Sequence, residues 1–259
     1  MGNLPAIRVT PSRPFAHTGV DYTGYVDVKL NRGKGVKVTK GYIAIFVCLS
    51  TKAVHIELVL DLSSQAFIAA LKRLCARRGT PKHLYSDNGT NFTGAAKLLY
   101  EEFQQYKTMT STDFFDKLNE LHIEWHFIAP RWPTAGGIWE AAVKSMKYQF
   151  MRVIGDQKLD FEQLTTLLAQ IEACMNSRPL CPLTEDPEDL QYLTPGHFLV
   201  GSPMMSLPQE NQTGSKLDLR NRWKIVEMMH QHLWKRWSNE YLHQLQTKSK
   251  WLQPKPNLT

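Results

Sequence analysis

Three β-rich runs crowded between residues 20 and 60 constrain this chain more than anything else in it. Val20 to Leu30, broken at Gly24, is followed by Tyr42 to Leu49, almost wholly apolar, and by Ala53 to Leu60, which alternates. The first joint, Asn31-Arg32-Gly33-Lys34-Gly35, carries a hairpin signal, and the second is only a few residues around Ser50-Thr51-Lys52. Joints that short leave no room for a crossover, so the runs are expected to form an antiparallel meander. A helix from Ser64 to Arg78 follows, with Ser63 as its N-cap and Gly79 as its stop. Its apolar positions Phe67, Ile68, Leu71, Leu74 and Cys75 fall at helical spacing. The run Pro81 to Ser86 is then a strand reached through a helical crossover, which implies parallel pairing. Helical stretches over 93–107 and 111–121 precede a fifth strand, Ile123 to Ile128. The expectation is an α/β fold: a five-stranded mixed sheet, three strands antiparallel and then two parallel, flanked by helices.

Nothing in the composition asks for staples. With 42% hydrophobic and 21% charged residues over 259 positions, the chain can bury a core on its own. Its four cysteines (48, 75, 174, 181) form no CxxC pair, so neither a disulfide scaffold nor a zinc finger is indicated. His122 and His126 have a ligand-like spacing, but they alternate with Ile123, Trp125 and Phe127, and a wet strand face accounts for them. No apolar run approaches the roughly 20 residues of a membrane span, and the N-terminus lacks a signal-peptide core.

Three acids stand out by position. Asp87 lies in Tyr85-Ser86-Asp87-Asn88-Gly89-Thr90-Asn91-Phe92, where an apolar run stops and an Asn-Gly turn begins, a pair that tolerates positive φ. Asp21 lies in the first run, in Gly19-Val20-Asp21-Tyr22-Thr23-Gly24. Glu140 opens a helix, Ile138 to about Ile154, after the Pro/Gly loop Ala129 to Gly137. On that helix Glu140, Lys144, Lys147 and Met151 share one edge, while Trp139, Val143, Met146 and Phe150 form a neighbouring stripe. Taken alone, Asp87 can be a turn former and Glu140 with Lys144 a solvated i,i+4 pair.

A second helix from Phe161 ends at Asn176-Ser177-Arg178-Pro179, and residues 202–217 read as a linker. A last helix, about Leu219 to Leu245, carries Trp223, Trp234 and Trp237. Charge concentrates here: residues 216–259 hold nine Lys/Arg against three acids, most of the net +7. Such a tail is a candidate polyanion-binding segment, with Lys235 and Arg236 between Trp234 and Trp237, or a solvated basic helix.

The acids and their surroundings resemble the retroviral integrase superfamily, and in wording they are closer to integrase catalytic cores of BEL/Pao-type LTR retrotransposons. Ser12-Arg13-Pro14-Phe15, Lys52-Ala53-Val54-His55-Ile56-Glu57-Leu58, Arg77-Arg78-Gly79 and Ser86-Asp87-Asn88-Gly89-Thr90-Asn91-Phe92 carry the resemblance. It implies an RNase H-like core over 17–201, an extended lead-in over 1–16, and a basic Trp-rich helical extension over 218–259. It also implies an acidic triad, Asp21, Asp87 and Glu140, that is catalytic and holds two Mg²⁺ or Mn²⁺ ions. The activity implied is polynucleotidyl transfer: trimming of retroelement DNA ends and their joining to target DNA. The partners implied are DNA, through Lys144, Lys147, Lys235 and Arg236, and further copies of the chain, acting in the nucleus, with no membrane and no small-molecule substrate.

The two Asp are 66 residues apart, yet the expected strand order makes their strands neighbours. Held about 4 Å apart without a counterion they would repel by several kcal/mol at an effective dielectric near 20, which is the environment a hard cation requires. Ribonuclease H takes a catalytic Glu from its first helix, but Ser64 to Arg78 contains no acid. The interval from Asp87 to Glu140 is 53 residues, longer than is usual in the family, which makes Glu124 an alternative on a strand face. The family's zinc module and C-terminal β-barrel are not expected between Met1 and Thr259. A rival reading is therefore a catalytically silent, domesticated or relic DNA-binding module.

Overall fold

The expected meander forms. In the computed structural model, which describes residues 6–30, 35–109, 122–128, 137–155, 157–184, 191–204 and 222–245, strands β1 (His17–Lys29), β2 (Val38–Cys48) and β3 (Val54–Val59) pair antiparallel. Helix α2 (Ser64–Arg78) carries the chain across, and β4 (His83–Ser86) and β5 (Glu124–Phe127) add in parallel, giving the order β3-β2-β1-β4-β5. A short strand not anticipated, β6 (Leu159–Asp160), pairs parallel with the far end of β1 at Val28 and Lys29. This is the expected mixed α/β sheet, three strands antiparallel and two parallel.

Local chemistry places the boundaries. Ser63 Oγ accepts from the Ala66 N–H at 3.1 Å, and Gly79, at φ 85°, closes α2 by donating to Cys75 O. A Cβ on Gly79 would lie 2.4 Å from Arg13, whose guanidinium donates to the Arg78 carbonyl at 2.6 Å. The lead-in is thus tied to the body. It contains one helical turn, α1 (Ala6–Val9), rather than extended chain throughout, and Phe15 is fully buried. Each such aromatic contributes about 1.5–3 kcal/mol by burial.

The sheet separates two apolar layers. On one face Val20, Phe46 and Leu84 pack with Phe67, Leu71 and Leu74 of α2 and Phe92 of α3 (Thr90–Met109). On the other, Val28, Ile45, Ile56 and Leu58 pack with α4 (Gly137–Ile154), α5 (Phe161–Asn176) and α7 (Arg222–Leu245). The break expected at Gly24 is a β-bulge: Tyr22 pairs with Ala44 but Tyr25 with Tyr42, so Thr23 and Gly24 together face Ile43. The extra residue inverts the alternation. Val20 and Tyr22 belong to the α2 and α3 side, whereas Val26 and Val28 belong to the α4 and α5 side.

One expectation needs correction. Strand β3 does not alternate, because all six of its residues are buried. His55 and Glu57 are enclosed by Arg73 and Arg77 of α2 and Glu172 of α5. The C-terminal helix packs on the core through an apolar stripe, with Val226, Met229, Leu233 and Trp237 of α7 buried with α4 and α5. Asn176, at the end of α5, latches onto β3 through both hydrogen bonds of its amide to Val54, each 2.8 Å. Beyond it, β7 (Cys181–Pro182) and β8 (Tyr192–Leu193) form a small ladder leading to α6 (Pro195–Val200). The turn at 31–34, the helix expected over 111–121, most of the loop 129–137 and most of the linker lie outside the described residues. No described helix is long and apolar enough to cross a membrane.

Candidate active site

β1 and β4 run side by side with a constant offset of 66 residues: His17 with His83, Thr18 with Leu84, Gly19 with Tyr85. The pairing ends at Gly19 and Tyr85, each two residues before one of the aspartates, Asp21 and Asp87. Asp21 lies between Val20 and Tyr22, which face α2 and α3, so strand alternation turns it to the α4 side. Asp87 stands just past the end of β4, where its Oδ1 accepts from the Gly89 N–H at 2.9 Å. Neither Asn88 nor Gly89 uses positive φ. Glycine is needed here for approach instead: a Cβ on Gly89 would fall 2.7 Å from Asn91 Oδ1 and 3.1 Å from Asp87 Oδ1. Buried Ser86 accepts from Trp125 Nε1 and donates to the Asp87 carbonyl, both at 2.9 Å, and Asn88 Nδ2 donates to Ile128 O at 3.1 Å. The acid is carried on a braced turn.

Glu140 comes from the opposite direction, in the first turn of α4, where the helix dipole favours a negative charge. What seats that turn is Trp139, whose ring lies where a Cβ on Gly19 would be, 2.2 Å from it. Only glycine at position 19, two residues before Asp21, lets the helix come so close to β1. The apolar stripe of α4 behaves as expected: Trp139, Met146 and Phe150 are buried, while Glu140, Lys144 and Lys147 are exposed. Lys147 Nζ lies 3.4 Å from the Cβ position of Gly24, so the bulge leaves room for it. Lys235 and Arg236 lie on the exposed side of α7.

The electrostatics join the three acids. Burial raises the Asp21 pKa to about 6; the Tyr22 N–H, donating to Oδ1 at 2.7 Å, opposes the rise, and the negative charges of Asp87 and Glu140 add to it. The charges of Asp87, after β4, and Glu140, on α4, thus both act on Asp21 of β1. Glu124 is placed elsewhere, 3.2 Å from His83 Nδ1. Among the described residues only His83, Glu124 and His126 bring three ligand atoms within 4.8 Å of one another, so the acid triad is more open than a one-ion cage. Its donor set, carboxylate oxygens alone, fits hard divalent cations such as Mg²⁺.

Residues 11–133 match the model of the integrase core domain. That match contains Asp21 and Asp87 and ends before Glu140. Residues 221–259, which include α7, match a second model, a family of unknown function (DUF5641). Among solved structures the chain is similar to the simian T-cell lymphotropic virus intasome in complex with the PP2A regulatory subunit B56 gamma. That likeness has 18% identity and a TM-score of 0.46, and covers 77% of this chain and 59% of that one. The chain thus spans less than two thirds of that relative. It is also similar to the HTLV-2 integrase catalytic core domain in complex with magnesium (trimeric form), at 16% identity and a TM-score of 0.42, covering 72% of this chain and 97% of that one. No curated protein matches the chain.

Two features of the candidate site were not legible beforehand. The Gly19–Trp139 contact joins residues 120 apart and leaves no local pattern. A row of rings also crosses the sheet beneath the acids: His17 stacks on His83 (4.6 Å), Tyr85 on His126 (4.7 Å), and Trp139 lies over Tyr85 (6.4 Å). His126 is part of that row, on a strand face where only solvent was expected.

Proposed function

We propose that this chain is the catalytic core of a DNA integrase, a polynucleotidyl transferase that trims retroelement DNA ends and joins them to target DNA. The observation that supports the reading is the Asp21 pKa, raised to about 6 by burial and further by the charges of Asp87 and Glu140. The BEL/Pao-type wording of the surrounding motifs supports an LTR element as the source. Asp21, Asp87 and Glu140 would hold two Mg²⁺ or Mn²⁺ ions. When bound, such ions supply the charge that activates an attacking oxygen and stabilises the leaving oxygen of an in-line displacement at phosphorus.

The remaining work belongs to the chain's own residues. Asp21, its pKa raised to about 6 by burial, would have to be deprotonated to hold a cation, so loading would be coupled to proton release. Gly89 and Ser86 hold the Asp87 turn in place, and Trp139 on Gly19 sets how far Glu140 reaches over the strands. Lys144 and Lys147, one and two turns beyond Glu140, bind phosphates of the DNA end and fix its position without reading its bases. Lys235 and Arg236 on α7 extend that basic surface. The chain acts as a homo-oligomer, in the nucleus, where its DNA substrates are.

Purified protein incubated with labelled element-end DNA and Mg²⁺ or Mn²⁺ is expected to nick the end and to lose the nicking in Asp87→Asn. Binding without any nicking would replace this reading with the silent DNA-binding module. No binding at all would remove both.

A further inference from the structure

Away from the acids, at the opposite end of β4, three ligand atoms point at one place. His83 Nδ1 is 3.0 Å from His126 Nε2 and 3.2 Å from Glu124 Oε2, and His126 Nε2 is 3.8 Å from the same oxygen. The parallel pairing makes the triangle: His83 lies opposite Glu124 and Tyr85 opposite His126, so the three residues share one face of two neighbouring strands. Ring stacking fixes both imidazoles, His83 against His17 at 4.6 Å and His126 against Tyr85 at 4.7 Å. All three side chains remain open to solvent, at 28%, 60% and 43% exposure for His83, Glu124 and His126.

From this geometry we propose a second, separate metal site of His₂Glu type that takes a zinc-class ion and clasps the edge strand β5 to β4. Bonds of about 2.0–2.1 Å in a tetrahedron give ligand-to-ligand edges of about 3.3 Å. The observed edges of 3.0, 3.2 and 3.8 Å scatter around that value. Hydrogen bonding alone serves the triangle less well. A single proton on His83 Nδ1 can be shared with both partners, but it leaves the lone pairs of His126 and Glu124 facing each other. A cation satisfies all three at once. Two imidazoles and one carboxylate suit Zn²⁺, Co²⁺ or Ni²⁺ and not Mg²⁺, which prefers oxygen throughout. With three protein ligands a fourth position stays open to water. The site is distinct from the acids, since four residues of strand separate His83 from Asp87, about 13 Å. Its mechanical value is clear from β5, a four-residue edge strand whose end receives the Asn88 side chain at Ile128. An ion here would stiffen the support of the Asp87 turn.

The test uses the full chain with Zn²⁺ and Co²⁺ as probes. One equivalent of Co²⁺ is expected to give the intense visible bands of tetrahedral coordination, displaced by Zn²⁺ and untouched by millimolar Mg²⁺. Zn²⁺ should raise the melting temperature by several degrees. His126→Gln and Glu124→Gln should each weaken Zn²⁺ by at least about 100-fold, since groups that merely orient a ligand are worth about 10–100-fold. Asp87→Asn should leave the cobalt spectrum unchanged. Glu124 is exposed, so Glu124→Gln keeps the test decisive if His126→Gln fails to fold. Zn²⁺ affinity equal in all variants, or octahedral cobalt that Mg²⁺ displaces, would overturn the proposal. So would a chain that binds neither ion at one equivalent, which would leave a proton shared among the three side chains.

Discussion

Two groups of carboxylates sit on this sheet, and they differ in whether their charge is answered. Glu57 and Glu172 meet His55, Arg73, Arg77 and Arg78 at hydrogen-bonding distance. Burial alone would raise both pKa values, but for Glu57 the bonds from His55 and Arg73, and for Glu172 those from His55 and the Ile56 N–H with the Arg78 charge, outweigh it and hold both low. Asp21 has a single backbone N–H and two negative neighbours, and its pKa goes up. The same sheet thus holds a satisfied network and a repelling one. A chain keeps the first for stability; the second makes sense only if something positive arrives from outside.

The comparison can be broken from either side. Glu172→Ala takes the carboxylate from Arg78, the Ile56 N–H and His55 Nδ1, and removing one partner of a buried pair costs about 3–5 kcal/mol. Urea denaturation should show that loss, and a change below about 1 kcal/mol would mean the network is effectively solvated. Gly19→Ala is expected to cost about 1–3 kcal/mol by overpacking, because the new methyl occupies the Trp139 ring. It should also move Glu140 off the site, so divalent-cation affinity falls together with stability. A loss of stability with cation binding intact would separate Trp139 from the site.

On the other side, Asp21→Asn should stabilise the metal-free chain. The folded pKa of about 6 lies above the ordinary 3.8, so between those values the folded chain holds a proton that the unfolded chain has released. The stability of the protonated form is present below 3.8 and lost as pH rises through about 6. Two pKa units correspond to about 2.7 kcal/mol, and partial solvent access reduces the expected gain in Asp21→Asn at pH 7 to about 1–2 kcal/mol. The gain should disappear as pH falls to 4. The Glu57 and Glu172 network runs the other way, with stability present above the ordinary carboxylate range and lost as pH falls through the depressed values. Asp87→Asn should stabilise by less, since it removes one of the two charges that act on Asp21 and leaves burial, the larger cause, in place. A lower melting temperature in either variant would contradict the repulsion.

Much of this arrangement was legible in the amino-acid order. Short joints and a capped helix state the strand order, because hairpins and crossovers are local events; α2 and α5 have the bounds that Ser63, Gly79 and Asn176 suggest. The acids were legible for the same reason, as Asp87 sits at a strand end and Glu140 at a helix start. What stayed hidden depends on partners far along the chain. The full burial of His55 and Glu57 needs Glu172, more than a hundred residues away. The docking of α7 needs the faces of α4 and α5, which its own residues do not name. His83, Glu124 and His126 belong to two strands whose register is settled only by assembly.

The most direct test is a carbon NMR titration of the Asp21 carboxyl in the metal-free chain, repeated in Asp87→Asn, in Glu140→Gln and with Mg²⁺. A midpoint near 6 that moves down toward 3.8 in both variants, and moves down again when Mg²⁺ is added, is the expected result. A midpoint near 3.8 that ignores all three changes would show that the acids do not face one another, and the cation site would go with them.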